Sequence, residues 1–141
     1  MTTQDNLQTA LTFIDSFNAH DMSGWAARLA PGYSGDYPGV SGANAQVARA
    51  FNEAFLPAFP DLTFNVVRTL CQGDTVVIEW TAGGTQDGPL TSATGQVIPP
   101  THRKGMIHGV LLTDVKDGQI VRERTYWDQM ELLAQIGLVP A

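Results

Sequence analysis

Two titratable residues near the C-terminus, Asp128 and His108, have the side-chain types that acid–base catalysis needs. Asp128 ends an alternating segment and precedes a helix-like run, so we expect it at the rim of a cavity. An apolar rim disfavours the charged form of a carboxyl group and raises its pKa towards that of a useful general base. Aspartate is also a preferred helix N-cap, and that structural role explains Asp128 equally well.

The pairing of the last two strand-like segments decides whether His108 can assist Asp128. If Val115 pairs with Ile120, His108 faces Trp127 and lies next to Asp128. Facing residues have Cβ atoms roughly 4.5–5.5 Å apart. A one-residue slip at a bulge would bring His108 and Asp128 onto one face. His108 could then act as an acid or as a hydrogen-bond donor, although a hydrogen-bonded core histidine remains the alternative.

A single acid, Glu79, interrupts an apolar segment that reads as a strand. Alternation puts Glu79 on one face with Val77 and Thr81, and Trp80 on the other face. The Trp80 face is the more apolar and is the expected core face. Glu79 is therefore expected to face water, unless its own face lines the pocket and makes it a substrate-binding residue.

The final strand-like segment has no cleanly apolar face. Its residues alternate between Arg122, Arg124, Tyr126 and Asp128 on one side and Val121, Glu123, Thr125 and Trp127 on the other. A strand with a pocket or a partner on each side has this pattern. We predict that Arg124, Tyr126 and Trp127 contact substrate, and that an arginine either holds Asp128 ionised or pairs with it at the surface.

Aromatic and glycine residues cluster between positions 33 and 42. Phenols donate hydrogen bonds to carbonyl oxygens, so Tyr33 and Tyr37 are candidate substrate-binding residues at a pocket rim. Packing in the core is the default expectation for Tyr33. Asp36 is a secondary candidate for an acidic group at the same rim.

Composition excludes several classes of function. The 141 residues carry a net charge of −6 and no cluster of Lys or Arg, which argues against nucleic acid or an anionic membrane as a partner. The lone cysteine, Cys71, permits no internal disulfide, and zinc-type ligand spacing is absent. There is no signal-peptide pattern and no apolar run near the ~18 residues of a membrane span. We expect a cytoplasmic protein that uses no cofactor or metal.

The N-terminal part of the sequence has the apolar periodicity of helices. Leu7, Leu11 and Phe17 belong to one apolar stripe of a first helix, with Thr2 or Thr3 as its cap. A second, short helix begins at Asp21 or Ser23 and is predicted to end at Pro31-Gly32. A short strand and loop follow over 33–42, and a third helix runs from Ser41 or Asn44 to Pro57.

Alternation with a period of two then replaces the helical pattern. Strands are predicted over 62–67, 75–81, 90–94, 106–115 and 119–128, with a turn at Gly83-Gly84. Asp117-Gly118 indicates a hairpin between the last two strands. A terminal helical turn is stopped by Gly137 and Pro140. Helices on one side of an antiparallel sheet define the α+β class. We predict one domain over 1–141, with a curved sheet wrapped around a central pocket.

Several short stretches resemble a known family. They are FNAHD at 17–21, AFPDL at 58–62, IPPT at 98–101, DGQIV at 117–121, Asp128, and LAQIGL at 133–138. Taken in this order, they are similar to the SnoaL-like polyketide cyclases, also known as ester cyclases, within the nuclear transport factor 2-like superfamily. One position departs from the pattern, because His102 stands where a glycine is usual.

The resemblance implies a cone-shaped α+β fold and cofactor-free closure of a ring by an intramolecular aldol condensation. A carboxylate removes a proton next to a carbonyl group and returns one to the new alkoxide, and Asp128 matches the position of the family's aspartate. We expect such an enzyme to act on a hydrophobic, carbonyl-rich small molecule and to form a homodimer through its open sheet face. The alternatives are an isomerase or hydrolase on the same fold, or a module that binds small molecules or dimerises without turnover.

Overall fold

Helices and strands occur in separate blocks along residues 2–92 and 94–139, the part of the chain that the structure, a computed structural model, describes. The helices are α1 (Thr3–Asn18), α2 (Met22–Ala27), α3 (Ala45–Glu53), α4 (Phe55–Ala58) and α5 (Gln129–Gln135). The strands are β1 (Leu29–Tyr37), β2 (Val40–Ala43), β3 (Thr63–Gln72), β4 (Thr75–Thr85), β5 (Leu90–Thr91), β6 (Val97–Ile98), β7 (Lys104–Lys116) and β8 (Gln119–Trp127). This order confirms the α+β class.

Six of these strands form one mixed sheet in the order β2-β1-β8-β7-β4-β3, and β5 pairs with β6 in a separate small sheet. The expectation of a purely antiparallel sheet is wrong, because β1 pairs with β8 in parallel. The other pairs in the large sheet are antiparallel. β1 starts at Leu29 and runs through Pro31-Gly32, where a helix end was predicted.

Helix α1 covers the inner face of this sheet. Thr2 caps its start in a reciprocal capping box with Asp5, which satisfies backbone donors that a helix N-terminus leaves free. Its apolar stripe includes Phe13, Ile14 and Phe17, which are buried against the sheet. Fully burying an apolar side chain of this size stabilises a protein by about 1.5–3 kcal/mol, so this stripe is a main reason why α1 docks.

The inner face of β4 confirms the predicted core face. Val76, Ile78 and Trp80 are each 0–1% exposed, whereas Glu79 points to the outer face and is exposed. β4 continues through Gly83 and Gly84, so the predicted turn there is wrong. Both glycines pair with β7, opposite Met106 and Gly105.

The hairpin between β7 and β8 has the two-residue turn and the register slip that were considered from the sequence. Asp117 and Gly118 have φ angles of 52° and 75°, as a two-residue hairpin turn requires. Val115 pairs with Ile120, and a register shift follows between Asp114 and Val115. The one-residue slip considered from the sequence is therefore present.

Residues of the family-like stretches hold the backbone in place. The Asn18 side chain exchanges two hydrogen bonds with the backbone of Phe64, at 2.9 and 2.8 Å. The Gln135 side chain likewise exchanges two hydrogen bonds with the backbone of Met106, at 2.6 and 2.5 Å. Asp61 accepts a 2.8 Å bond from the backbone N–H of Thr85. These side chains satisfy strand groups that would otherwise lack partners.

The backbone conformation at His102 shows why glycine is usual at this position. Its φ angle is 58°, which places it in the left-handed region that glycine adopts without a steric penalty. The His102 ring contacts Asp87 at 3.1 Å, and both side chains are largely exposed. Such an exposed pair contributes little, so it does not offset the backbone strain.

Replacing His102 with glycine should therefore stabilise the fold. We expect His102→Gly to raise the free energy of unfolding by about 1 kcal/mol, since a side chain in the left-handed region costs about 1–2 kcal/mol. Urea denaturation measures the change. His102→Ala is the matched control, because it removes the contact with Asp87 but keeps Cβ, and it should bring no gain. Equal stabilisation by both variants would contradict the strain argument.

Candidate active site

A cavity lies between the helices and the inner face of the sheet. Its volume is about 80 Å³, and eight of its lining residues are aromatic, among them Trp25, Phe55, Phe64, Trp80 and Trp127. Pockets for drug-sized ligands measure about 300–1,000 Å³. The space holds a few waters or a small fragment, so a larger ligand must displace lining side chains.

Glu123 is the one charged side chain among the residues that line this cavity. It lies on the inner face of β8, in phase with Thr125 and Trp127, and is 4% exposed. A buried carboxyl group is costly unless hydrogen bonds compensate its lost hydration. The neighbours of Glu123 supply these hydrogen bonds.

Three hydroxyl groups donate to Glu123. The phenols of Tyr33 and Tyr37 reach Oε1 at 2.6 and 2.5 Å, and Oγ1 of Thr125 reaches Oε2 at 3.0 Å. The phenol distances match the about 2.5–2.7 Å of hydrogen bonds from a hydroxyl to an ionised oxygen. The two phenolic oxygens also lie 2.8 Å from each other.

The parallel pairing of β1 with β8 creates this arrangement. Gly35 is the pairing partner of Glu123, and alternation puts Tyr33 and Tyr37 on the same face as Gly35. A Cβ on Gly35 would lie 2.3 Å from the Tyr33 hydroxyl oxygen. Only glycine at this position lets the phenol cross the strand to the carboxyl group.

Burial raises the pKa of Glu123, and the hydrogen bonds from Tyr33, Tyr37 and Thr125 offset only part of that rise. The pKa values of Tyr33 and Tyr37 are also raised, first by burial and then by the nearby charge of Glu123. Both phenols therefore stay protonated and act as donors. A carboxyl group with a raised pKa is suited to give and take protons near neutral pH.

The two carboxyl oxygens of Glu123 have different surroundings. Oε1 accepts from Tyr33 and Tyr37, which do not line the cavity, whereas Oε2 accepts from Thr125, which does. Oε2 is therefore the oxygen that neighbours a lining side chain. A carboxylate oxygen can accept more than one hydrogen bond, so Oε2 retains capacity for a ligand.

The indole N–H of Trp80 is buried without a hydrogen-bond partner in the described part of the chain. Trp80 is 1% exposed and lines the cavity, and its Nε1 has no hydrogen-bond partner among the described residues. An unmade hydrogen bond at a buried donor costs about 1–3 kcal/mol. Trp127 differs, because its Nε1 donates to Oε1 of Gln129 at 2.8 Å.

Asp128 and His108 do not share the cavity, which contradicts the geometry expected from the sequence. Asp128 is exposed and caps α5 through bonds to the backbone N–H groups of Met130 and Glu131, at 3.0 and 3.2 Å. The His108 side chain is 69% exposed on the outer face and lies 3.5 Å from Glu131. The register slip pairs Gly109 with Trp127, and β8 ends there, so His108 and Asp128 follow at the strand end and outside the cavity.

The other predicted substrate-binding residues are divided between the two faces. Trp127 lines the cavity. Tyr33 and Tyr37 do not line it, but both donate hydrogen bonds to Glu123, which does. Tyr126 is 55% exposed, and Arg124 belongs to the same outer set. Glu79 lies on the outer face at 3.7 Å from Arg68, and Asp36 contacts Arg122 and the backbone of Gly42.

Glu123 was not among the residues selected from the sequence. The one signal for it was its alternation phase, which it shares with Val121, Thr125 and Trp127. An acid in phase with Trp127 is a candidate for burial, although neither phase of this strand is cleanly apolar. That signal was masked because the opposite phase contains Asp128, which matches the family's aspartate.

Two further features of the described residues bear on the site. No group of three His, Cys, Asp or Glu side chains within them could hold a metal ion. None of their helices is long and apolar enough to cross a membrane.

Solved structures share this fold. AclR from Streptomyces galilaeus, assigned as a hydroxylase, superposes with a TM-score of 0.84 at 23% identity over 99% of this chain and 85% of its own. A protein from Jannaschia sp. CCS1, assigned as a SnoaL-like polyketide cyclase, gives 0.83 at 26% identity over 97% and 94%. IdmH from Streptomyces antibioticus, assigned as a polyketide cyclase, gives 0.76 at 25% identity over 94% and 98%.

No curated protein matches the chain significantly in sequence. The family model described as SnoaL-like polyketide cyclase matches residues 8–136, which is most of the chain. Together with the α+β architecture, this match confirms the resemblance of the short stretches. The chain belongs to the SnoaL-like polyketide cyclase family and has the nuclear transport factor 2-like fold.

Proposed function

We propose that the protein is a polyketide-cyclase-like enzyme that transfers protons on an uncharged, hydrophobic carbonyl compound, with Glu123 as its acid–base group and no cofactor. The observation that carries this proposal is a single buried carboxyl group in a mostly apolar, aromatic cavity, whose other polar lining side chains are Asn52 and Thr125. Burial raises the pKa of this carboxyl group, which favours an acid–base role.

The proposed reaction uses Oε2 of Glu123 in both of its steps. Oε2 removes a proton from the carbon next to a carbonyl group, and the C–H electron pair forms an enolate. The enolate carbon attacks a second carbonyl group of the same molecule, which forms a C–C bond and an alkoxide. Glu123 then returns the proton to the alkoxide. Tyr33 and Tyr37 position the carboxyl group through Oε1, and the apolar wall excludes water from the enolate.

Charge in the cavity limits the substrate class. Glu123 is the one charged lining residue, and no Lys or Arg faces it across the cavity. An anionic substrate would meet a like charge with no cation to compensate it. The preferred substrate is therefore neutral. Its rigid portion is small, because the cavity opens to only about 80 Å³ without movement of side chains.

An isomerase is the second candidate, and the arrangement of Glu123 favours it specifically. A single base that accepts a proton at Oε2 can return the same proton to a different carbon of the enolate. That chemistry needs one carbonyl group and less space than ring closure, which suits the small cavity. A binding module without turnover is the remaining alternative, and a wild-type protein that does not accelerate exchange in the assay below would favour it.

The exposed outer face of the sheet supports a homodimer as part of this proposal. Its large apolar residues include Leu70, Met106 and Tyr126, which are 55%, 51% and 55% exposed. Exposed apolar side chains on one face of a sheet are a surface that a second copy of the chain could cover. We further propose a cytoplasmic protein, as the sequence led us to expect.

Loss of the Glu123 carboxylate should abolish proton transfer. We expect Glu123→Gln to slow the exchange of the α-protons of 2-tetralone for deuterium by about 10²-fold or more, the usual contribution of a positioned acid–base group. Proton NMR in deuterated buffer measures the rate.

Asp128→Asn is the matched control for that experiment, because asparagine caps a helix as well as aspartate does. The control should exchange at the wild-type rate. The reverse result, loss of exchange in Asp128→Asn alone, would restore the catalytic role predicted for Asp128 with His108. Equal exchange with and without the protein would favour the binding module.

The raised pKa of Glu123 should also appear in the pH dependence of stability. Because the folded protein holds this proton more tightly than the unfolded chain, the contribution of Glu123 is fully present below its ordinary pKa of 4.5. It is lost as the pH rises through the folded-state value. The free energy of unfolding should fall with rising pH in the wild type relative to Glu123→Gln, by roughly 1.4 kcal/mol for each unit of pKa shift.

Urea titrations of both proteins between pH 4 and 8 give this difference directly. Other titrating groups are common to the two proteins and cancel in the comparison. We subtract the unfolding free energy of Glu123→Gln from that of the wild type at each pH. If this value stays constant or rises with pH, the folded state does not raise the pKa of Glu123.

A charge placed on the outer sheet face should separate the proposed dimer. We expect the wild type to sediment as a dimer at micromolar concentration and Leu70→Glu to sediment as a monomer, because a buried unpaired carboxylate opposes association. Val47→Glu is the control, since Val47 is 49% exposed on α3, away from this face. A wild type that sediments as a monomer would contradict the dimer.

A further inference from the structure

We propose that Gly105 determines ligand specificity at one end of the cavity, because the space that a side chain would fill there is left free for an apolar portion of the ligand. This inference rests on the proposed function, since it takes the cavity as a substrate site. It deepens that function by assigning an elongated substrate, whose apolar end lies against the backbone of β7 and whose reactive carbonyl group lies near Glu123.

Gly105 lies inside the protein near the start of β7. It is buried and lines the cavity, and it pairs with Gly84, which lines the cavity from β4. A glycine within a strand destabilises the fold relative to alanine, because it loses more conformational freedom on folding and has no side chain to pack. A glycine that lines a cavity from a strand therefore needs a conformational, steric or functional reason.

The other glycines of the chain have a conformational or steric reason within the described structure. Seven of the fourteen have positive φ angles, which residues with a side chain rarely adopt. At five more, an added Cβ would lie only 2.0–2.8 Å from its nearest neighbour. At Gly83 it would lie 3.1 Å from the carbonyl oxygen of Gly105, which is also too close for an ordinary contact.

Gly105 is the exception to this rule. Its φ angle is not positive, and an added Cβ would lie 3.5–3.6 Å from its three nearest neighbours, which are atoms of Gln135, Ile136 and Leu132. These are ordinary van der Waals distances, so alanine fits without any shift. Within the described chain nothing requires glycine here, and the wall of the cavity keeps space for a methyl group. A strand glycine of this kind marks a position that a ligand approaches closely.

The surroundings of Gly105 select an apolar ligand group. Leu132 and Ile136 contribute aliphatic carbon atoms. The one polar atom among the three nearest neighbours is Oε1 of Gln135, which already accepts a hydrogen bond from the backbone N–H of Met106. A polar ligand group would lose its hydration here without gaining a free partner, which is unfavourable.

The sheet register places Gly105 far from Glu123, although both residues line the same cavity. Glu123 pairs with Thr113, which lies eight residues from Gly105 along β7. Eight residues of a strand span at most roughly 26 Å. A ligand that gives its proton to Glu123 and also reaches Gly105 is therefore elongated, with its carbonyl group and its apolar end far apart.

Gly105→Ala should stabilise the protein in the absence of ligand. We expect the equilibrium constant for folding, measured by urea denaturation, to rise about two- to fivefold, because the unfolded chain loses conformational freedom. Gly84→Ala is the matched control on the paired strand. Its Cβ would lie 2.8 Å from Oδ1 of Asp61, which is held by the backbone N–H of Thr85, so this variant should be less stable than the wild type. A Gly105→Ala protein that is also less stable would show that the fold requires this glycine, and would overturn the inference.

The same substitution should weaken the binding only of ligands long enough to reach Gly105. The probes 6-ethyl-, 6-butyl- and 6-octyl-2-tetralone share the reactive ketone and differ in the length of an apolar chain. We expect Gly105→Ala to weaken the binding of the octyl probe about fourfold, which corresponds to one buried CH₂ group, and to leave the ethyl probe unaffected. Quenching of tryptophan fluorescence measures the affinities. Unchanged or tighter binding of the octyl probe, or an equal loss for all three probes, would overturn the inference.

Deuterium exchange at the ketone separates a failure of this inference from a failure of the proposed function. Exchange that depends on Glu123, without any effect of chain length in Gly105→Ala, would sink the Gly105 contact alone. A loss of affinity that grows with chain length, in a protein that does not accelerate exchange, would sink the catalytic proposal and leave Gly105 as part of a ligand site.

Discussion

Hydrating a carboxylate is so favourable that a protein buries one only where hydroxyl or N–H donors replace the lost water. Glu123 meets this requirement through the parallel pairing of β1 with β8, which brings Tyr33 and Tyr37 to one of its oxygens. If that pairing were lost, the carboxyl group would be buried without its donors.

The residues that identify the family and the residues that line the cavity are largely different sets. Asn18, Asp61 and Gln135 bind backbone groups of strands, and Asp128 caps a helix. Their roles are the same whatever molecule enters the cavity. Family membership therefore specifies the scaffold closely, whereas the proposed chemistry depends on the aromatic wall and Glu123.

The two faces of the sheet have different surroundings because strand side chains alternate. Along β8, Glu123 and Thr125 point inward to the cavity, while Arg124 and Tyr126 point outward. The inward set is available only to a molecule that enters the cavity. The outward set, with its exposed apolar side chains, is available to another macromolecule. A single strand thus contributes to both proposed functions without either set of residues interfering with the other.

The sequence by itself determined what depends on local patterns. Helical and alternating periodicity predicted α1, the core face of β4 and the Asp117-Gly118 hairpin, because each follows from side chains close together in the chain. Tertiary structure alone decided the site. The contact between Tyr37 and Glu123 spans 86 residues and depends on a parallel pairing that no local pattern encodes. The register slip of His108 was foreseen, but only the packing of α1 on the sheet decided which face became the cavity, and hence that His108 and Asp128 lie outside it.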